Sequence, residues 1–217
     1  MLKIIKKGIL LMAVIFSASL LAQPERTDAQ IEESALKVSN RLFQVNNSPT
    51  AGTGDLTLVL FYDYNCPYSR ILDKQLRAII TENKVRVIYR PVGLIDSASP
   101  IAARAVLAAH KQGKFEVVND AFINETKPLT QAMIQSIIAQ PNLGIDQERY
   151  KKDFDDLSVE GQVFENRIVY EEISMAGVPA IIGAKLDTSN NVVSSKIKYF
   201  AGVNRQDLVY MLYKLRS

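Results

Sequence analysis

Apolar positions along the chain change their period several times, and each change marks an element. Residues 29–44 place Ile31, Ala35, Val38 and Leu42 at helical spacing, which predicts a short amphipathic helix. A loop of turn formers runs from Asn46 to Asp55 and carries Pro49, Gly52 and Gly54. It opens into Leu56–Tyr62, a run of β-formers without the polar alternation of a half-exposed strand. Such a run suits a strand buried on both faces, at the centre of an α/β sheet. From Cys66 the period turns helical through Ile71, Leu72, Leu76, Ile79 and Ile80, and Val85–Tyr89 reads as a second buried strand. Strand, helix and strand with short links make a βαβ unit and a parallel pair.

From Ser99–Pro100 to Ala176 the pattern contains no convincing strand. Ser99 is placed to cap a helix with Pro100 in its first turn, and that helix ends near Gly113. Helical patterns follow over 115–122, 130–139, 146–154 and 159–175. Strand character returns at 179–183 and again at 197–200, separated by a turn cluster over 187–191. Asn204 opens a last helix with Leu208, Met211, Leu212 and Leu215 on one face. No internal repeat or low-complexity segment interrupts the series. The expected organisation is an N-terminal segment over 1–22 and a helix and loop over 23–55. The first half of one α/β domain follows over 56–97, then an all-helical insertion over 98–176, and the second half over 177–217.

Composition narrows the setting. Among 217 residues nearly half are apolar, enough for a substantial core. The formal charge of +3 is carried by Lys3, Lys6 and Lys7, and the remainder balances 23 basic against 23 acidic residues. Nucleic-acid binding needs a sustained basic surface, which this balance excludes. The stretch Gly8–Ala22 is apolar behind its basic start and falls short of the roughly 20 residues that cross a bilayer. It reads as a secretory signal segment cleaved after Ala22, with an uncleaved anchor as the alternative. No cysteine follows it to take a lipid, and no later run is long enough to span a membrane. The mature chain is therefore expected outside the cytoplasm, in a periplasm or secreted.

The chain holds one cysteine, Cys66. In an exported protein it cannot form an internal disulfide, so it is either buried and inert or a thiol kept for a purpose. Its position, between a buried strand and a helix start, leaves both readings open and gives the second a mechanism. Unpaired N–H groups and the positive end of the helix dipole stabilise a thiolate there and make the sulfur nucleophilic. Pro67 suits the first helical turn, and Cys66 is expected to be exposed. A second clue is Pro179 at the opening of a later strand, where proline is normally excluded. Either it ends the preceding helix, or it is a cis proline beside the thiol, with Val178 offering backbone hydrogen bonds to an extended peptide. His110, the only histidine, reads as a helix-terminal surface residue, and with one Cys and one His no metal cluster forms. Asp153, Asp155 and Asp156 read as a solvated face, and the aromatic residues as ordinary core and rim.

The segment Gly54–Ser69, GDLTLVLFYDYNCPYS, closely resembles the active-site strand and helix start of the DsbA-like thiol–disulfide oxidoreductases. Ala102–Ala109 and Lys111–Phe115 resemble the opening of that family's helical insertion, and Gly177–Ala180 resembles its cis-proline loop. The resemblance runs in order over residues 29–217. It implies a thioredoxin fold with an all-helical insertion, and a periplasmic-type protein acting on cysteines of other exported proteins. Catalysis would fall to Cys66 and Ser69, and substrate contact to Pro67, Tyr68, Val178 and Pro179. Two departures qualify it. Ser69 stands where the family has its second cysteine, and Leu60 stands where the family buries an acid that serves that cysteine's proton. No cofactor is implied, but a lone thiol needs a substrate thiol, a redox partner protein or a small thiol such as glutathione to complete an exchange. The alternative is a redox-inactive binding module, a chaperone or a component of an envelope or secretion assembly.

Overall fold

The computed structural model describes residues 26–217. The expected signal segment over 1–22 lies outside them. Fifteen elements follow in order: α1 (Asp28–Lys37), α2 (Ser39–Leu42), β1 (Thr50–Ala51), β2 (Leu56–Tyr62), α3 (Pro67–Asn83), β3 (Val85–Pro91), α4 (Ser99–His110), α5 (Phe115–Ile123), α6 (Gln131–Ile138), a 3₁₀ turn (Pro141–Leu143), α7 (Gln147–Phe154), α8 (Leu157–Ile173), β4 (Ala180–Leu186), β5 (Val192–Ala201) and α9 (Arg205–Arg216). The strands form one mixed sheet in the order β1-β3-β2-β4-β5. Only β2 and β3 are parallel, in register from Leu56 opposite Val85 to Tyr62 opposite Pro91. β4 runs antiparallel to β2, and β5 antiparallel to β4.

All seven residues of β2 are buried because the strand lies at the centre of the sheet with both faces covered. Leu56, Leu58, Leu60 and Tyr62 face α3, α9 and the helices α4–α6. Val59 and Phe61 face the opposite layer, built from α1, α2 and α8. The helical insertion is thus not a detached lobe. Its last helix, α8, brings Val169, Tyr170 and Ile173 into the core behind the sheet. Arg90 of β3 ties these parts together: its buried guanidinium donates to Asn166 Oδ1 of α8 at 3.0 Å and to the carbonyls of Arg41, Leu42 and Gln44 at 2.8–3.1 Å.

Three local expectations change. The helix over 29–44 is two helices, broken at Val38, which leaves helical geometry at φ −107° and ψ 15°. The loop over 46–55 contains β1, a two-residue strand paired with Val87 and Ile88 on the outer edge of β3. Ser99 does not cap α4. Asp96 takes that part, accepting the N–H groups of Ala98 and Ser99 at 2.9 and 3.0 Å, which frees the Ser99 hydroxyl for another partner.

Candidate active site at the start of helix α3

The buried strand β2 ends in Asp63-Tyr64-Asn65, whose polar side chains are consumed in building a rigid turn. The Asp63 carboxylate is buried and accepts four hydrogen bonds: Asn65 N–H at 2.8 Å, Ser99 Oγ–H at 2.7 Å, and the N–H groups of Leu94 and Ile95 at 2.5 and 3.0 Å. The loop that supplies Leu94 and Ile95 comes this close because Gly93, at φ +64°, sits where a Cβ would strike the Pro100 backbone at 2.8 Å. Asn65 reaches across to the insertion. Its Nδ2 donates to Asp96 at 2.8 Å and to the Leu129 carbonyl at 2.9 Å, while its Oδ1 accepts Leu129 N–H at 2.7 Å. With every buried polar group matched, the turn holds the following residue in one place.

That residue is Cys66, the N-cap of α3, with Pro67 at the first helical position. Its Sγ–H donates to the carbonyl of Val178 at 3.1 Å. The Val178–Pro179 peptide bond is cis. Cys66, Pro67, Tyr68, Ser69, Val178 and Pro179 therefore meet at one place, although 112 residues separate the two halves of that contact. Pro67 and Tyr68 are exposed and form the rim, whereas Ser69 and Pro179 are buried.

The expectation of an exposed sulfur is corrected. Cys66 is only 6 % exposed, because its thiol points at the Val178 carbonyl under the cover of the loop. Ser69 does not bond that sulfur. Its hydroxyl accepts Asp63 N–H at 3.3 Å and so belongs to the turn.

The acid question also resolves in place. Leu60 lies fully buried between Tyr89 of β3 and Ile181 of β4. Asp63 is saturated with donors and cannot serve as a substitute proton carrier while it holds the loop. The buried acid on this side of the sheet is Asp73 of α3, whose pKa is raised by desolvation. Its Oδ2 accepts from Asn119 Nδ2 at 3.2 Å, Asn119 Oδ1 accepts from Tyr64 O–H at 2.7 Å, and the Tyr64 and Tyr62 hydroxyls lie 2.8 Å apart. Its Oδ1 has no hydrogen-bond partner. This chain of polar groups was missed in reading the aromatic residues as ordinary core. The signal was present: Ser69, Asp73 and Leu76 fall at i, i+4 and i+7, so Asp73 belongs to the buried face.

Outside the site, the solvated face expected of Asp153, Asp155 and Asp156 holds for Asp155 and in part for Asp156, but not for Asp153. Asp153 is buried at 3.4 Å from Lys111, and Asp156 caps α8 through Ser158 N–H at 2.8 Å while pairing with Lys111 at 2.6 Å. His110 ends α4 half-buried, edge-on to Phe115, with its pKa lowered by desolvation. Among the described residues no cluster of His, Cys, Asp and Glu is placed to hold a metal ion, and no helix is long and apolar enough to cross a membrane.

Comparison with known proteins places this geometry. A family model described as a DSBA-like thioredoxin domain matches residues 57–209. A protein of Bacillus cereus named as a probable disulfide bond formation protein D is 22 % identical over 184 residues, covering 78 % of this chain and 85 % of its own length. Among solved structures, a thioredoxin-like oxidoreductase from Silicibacter pomeroyi is 26 % identical at a TM-score of 0.69, over 82 % of this chain and 96 % of that one. The thiol–disulfide exchange protein alpha-DsbA2 from Wolbachia pipientis superposes with a TM-score of 0.72 at 18 % identity, over 88 % and 97 % of the two chains. The catalytic domain of Proteus mirabilis ScsC does so with a TM-score of 0.67 at 23 % identity, over 84 % and 96 %.

Proposed function

Because this chain belongs to the DSBA-like thioredoxin domain family, we propose that it is an exported thiol–disulfide exchange protein working through the single sulfur of Cys66. The observation that carries the reading is the place of that lone cysteine. It is the N-cap of α3, and its Sγ rests on the Val178 carbonyl beside the cis Val178–Pro179 bond. The helix N-terminus stabilises developing negative charge on the sulfur. Once the thiol loses its proton, the Val178 carbonyl loses its donor and is free to accept an N–H from an extended peptide laid along the loop.

The exchange balances as two displacements. The Cys66 thiolate attacks one sulfur of a substrate disulfide, forming a Cys66–substrate bond and expelling the other sulfur as a thiolate. With no second cysteine in the chain, release falls to an outside thiolate: another cysteine of the substrate attacks the substrate sulfur and expels Cys66, whereas a small thiol or a partner's thiol attacks the Cys66 sulfur and expels the substrate thiolate. If the attacker is another cysteine of the substrate, the outcome is isomerisation. If it is a small thiol such as glutathione, or a redox partner protein, the substrate leaves with both sulfurs as thiols, and a second such thiol then attacks the Cys66 adduct and frees Cys66, leaving the two outside thiols joined as a disulfide. No internal disulfide is stored, so the chain is not a dithiol oxidase. Substrates are cysteine-containing exported proteins or peptides met in the periplasm or after secretion, reached through the signal segment over 1–22.

The test is mixed-disulfide capture. Native protein incubated with a disulfide-bonded model substrate is expected to yield an adduct that reductant removes and that Cys66→Ser abolishes. Absence of any adduct under native conditions overturns the reading. The buried state of Cys66 favours a second reading, a binding module without redox turnover. That reading requires Cys66→Ala to retain full activity in suppressing aggregation of unfolded proteins, with no adduct formed by wild type.

A further inference from the structure

A cavity of about 260 Å³ opens beside the reactive cysteine, between α3 and the segment following α5. It is lined by Asn65, Pro67, Arg70, Ile71, Lys74, Ile123 and the chain from Glu125 to Pro128. Its charge is lopsided: Arg70, Lys74 and Lys127 face one acid, Glu125. None of the three cations has a carboxylate within ion-pair distance among the described residues. Arg70 is the unusual member. Its half-buried guanidinium donates to the carbonyls of Tyr64, Glu125 and Lys127 at 2.5–3.0 Å and more weakly to Asn65 Oδ1 at 3.4 Å. All of these hydrogen-bond partners are neutral, and the carboxylates that act on Arg70, those of Glu125 and Asp63, do so from beyond ion-pair distance, so its charge is only partly offset in the cavity floor. Lys74 and Lys127 are exposed on the two walls. Pro67, which follows Cys66 directly, forms part of the rim.

We infer that this cavity receives the carboxylate end of a low-molecular-weight thiol or disulfide, of which glutathione is the probe, while its sulfur exchanges with Cys66. The inference rests on the monothiol reading and assigns the outside thiol that reading requires. Arg70 supplies a preset charge and Lys74 and Lys127 supply mobile ones. Exposed cations of this kind each contribute a factor of about two to five in rate or affinity. An acidic residue next to a substrate cysteine presents the same carboxylate, so the two sources have to be separated by experiment.

The experiment follows formation of the Cys66–glutathione adduct by intact mass. In this step the Cys66 thiolate attacks glutathione disulfide and expels one glutathione thiolate, so no further oxidant is needed. The comparison disulfide is the tetraethyl ester, which keeps the sulfur chemistry and removes the carboxylate charge. Wild type is expected to react several-fold faster with the free acid. That preference is expected to shrink in Lys74→Gln/Lys127→Gln to the share that Arg70 contributes, and to shrink in high salt. Both substituted side chains are exposed, so the fold is retained. Equal rates for acid and ester in wild type overturn the cavity and leave monothiol exchange standing. A preference seen only with a cystine peptide flanked by Glu rather than Gln overturns the assignment to a small thiol. If no adduct forms at all, the proposed exchange falls, and titration with unreactive S-methylglutathione decides the cavity. Saturable amide shifts at Arg70, Ile71 and Lys127 uphold it, and their absence overturns it.

Discussion

Ser69→Cys places a second sulfur one helical turn beyond Cys66. The N-cap and third helical position of α3 stand in i, i+3 relation, the neighbouring pair on a helix surface, within the reach of a disulfide. The structure sets the cost. The Ser69 hydroxyl accepts the Asp63 N–H at 3.3 Å, a long bond, and a sulfur accepts weakly, so the reduced variant should lose about 1 kcal/mol. Closing the four-residue loop returns roughly 2 kcal/mol on the chain-entropy account. The two terms differ by only about 1 kcal/mol, so the 66–69 bond should be easily reduced rather than structural. Equilibration against glutathione buffers, read as free thiols and intact mass, should place its potential well above the range below about −300 mV held by structural disulfides. Resolution of mixed disulfides should still be slow, since Leu60 provides no acid. Adding Leu60→Glu should accelerate resolution in the Ser69→Cys background and not in wild type, while costing about 3 kcal/mol of stability for a carboxyl buried between Tyr89 and Ile181. Failure of Ser69→Cys to form an intramolecular disulfide under oxidant, with only dimers appearing, would refute the placement of residues 66 and 69 on one turn.

Other substitutions probe the surroundings. Cys66 should react in the native state with small reagents such as methyl methanethiosulfonate and at least tenfold more slowly with bulky maleimides, because 6 % of its surface is open; equal rates would show a sulfur without that cover. Desolvation raises the Asp73 pKa above its ordinary 3.8, so the folded state holds its proton longer than the unfolded state, and stability should fall as pH climbs from about 4 through the folded value. Asp73→Asn should remove that slope in denaturant melts and gain on wild type towards neutral pH; a parallel slope in the variant would assign the effect elsewhere. Arg90→Leu leaves Asn166 and three carbonyls short of a donor and should cost about 3 kcal/mol, with Arg90→Lys recovering only part; a loss under about 1 kcal/mol would mean that water replaces the guanidinium.

The sheet's centre was legible because its signal is local. Leu56–Tyr62 and Val85–Pro91 bury almost every residue, and runs of β-formers without regular polar alternation, broken by Thr57 in one and Arg86 and Arg90 in the other, say so. The same holds for the helices from α4 to α9, each found within a few residues of its expected span. What escaped depends on partners remote in sequence. β1 exists only because the edge of β3 offers Val87 and Ile88, and its own residues look like a turn. Ser99 looked like a cap until Asp96 took the helix end and Asp63 took the Ser99 hydroxyl. Cys66 looked exposed because nothing nearby in sequence reveals that Val178 covers it. Asp153 looked solvated because its burial comes from packing between helices.

The position of the serine bears on the chemistry more than its mere presence. In a dithiol site, position 69 has to release and regain a proton, and a nearby acid must assist. Here the hydroxyl of Ser69 instead completes the turn, by accepting the Asp63 N–H, and the Asp63 carboxylate completes the loop over 94–95. Leu60 fills its place with hydrocarbon, while Asp73 lies two helical turns beyond Cys66 and bonds towards Asn119. Asp63 and Ser69, the polar groups nearest a second thiol, are thus engaged in holding the first thiol in position, and Asp73 is turned towards Asn119. On this reading the site gains rigidity around one sulfur and gives up the means of resolving its own adducts. The resolving thiol then has to arrive with its own proton balance and its own grip on the protein, and the cationic lining of Arg70, Lys74 and Lys127 beside Pro67 is the feature of the site proposed to hold it.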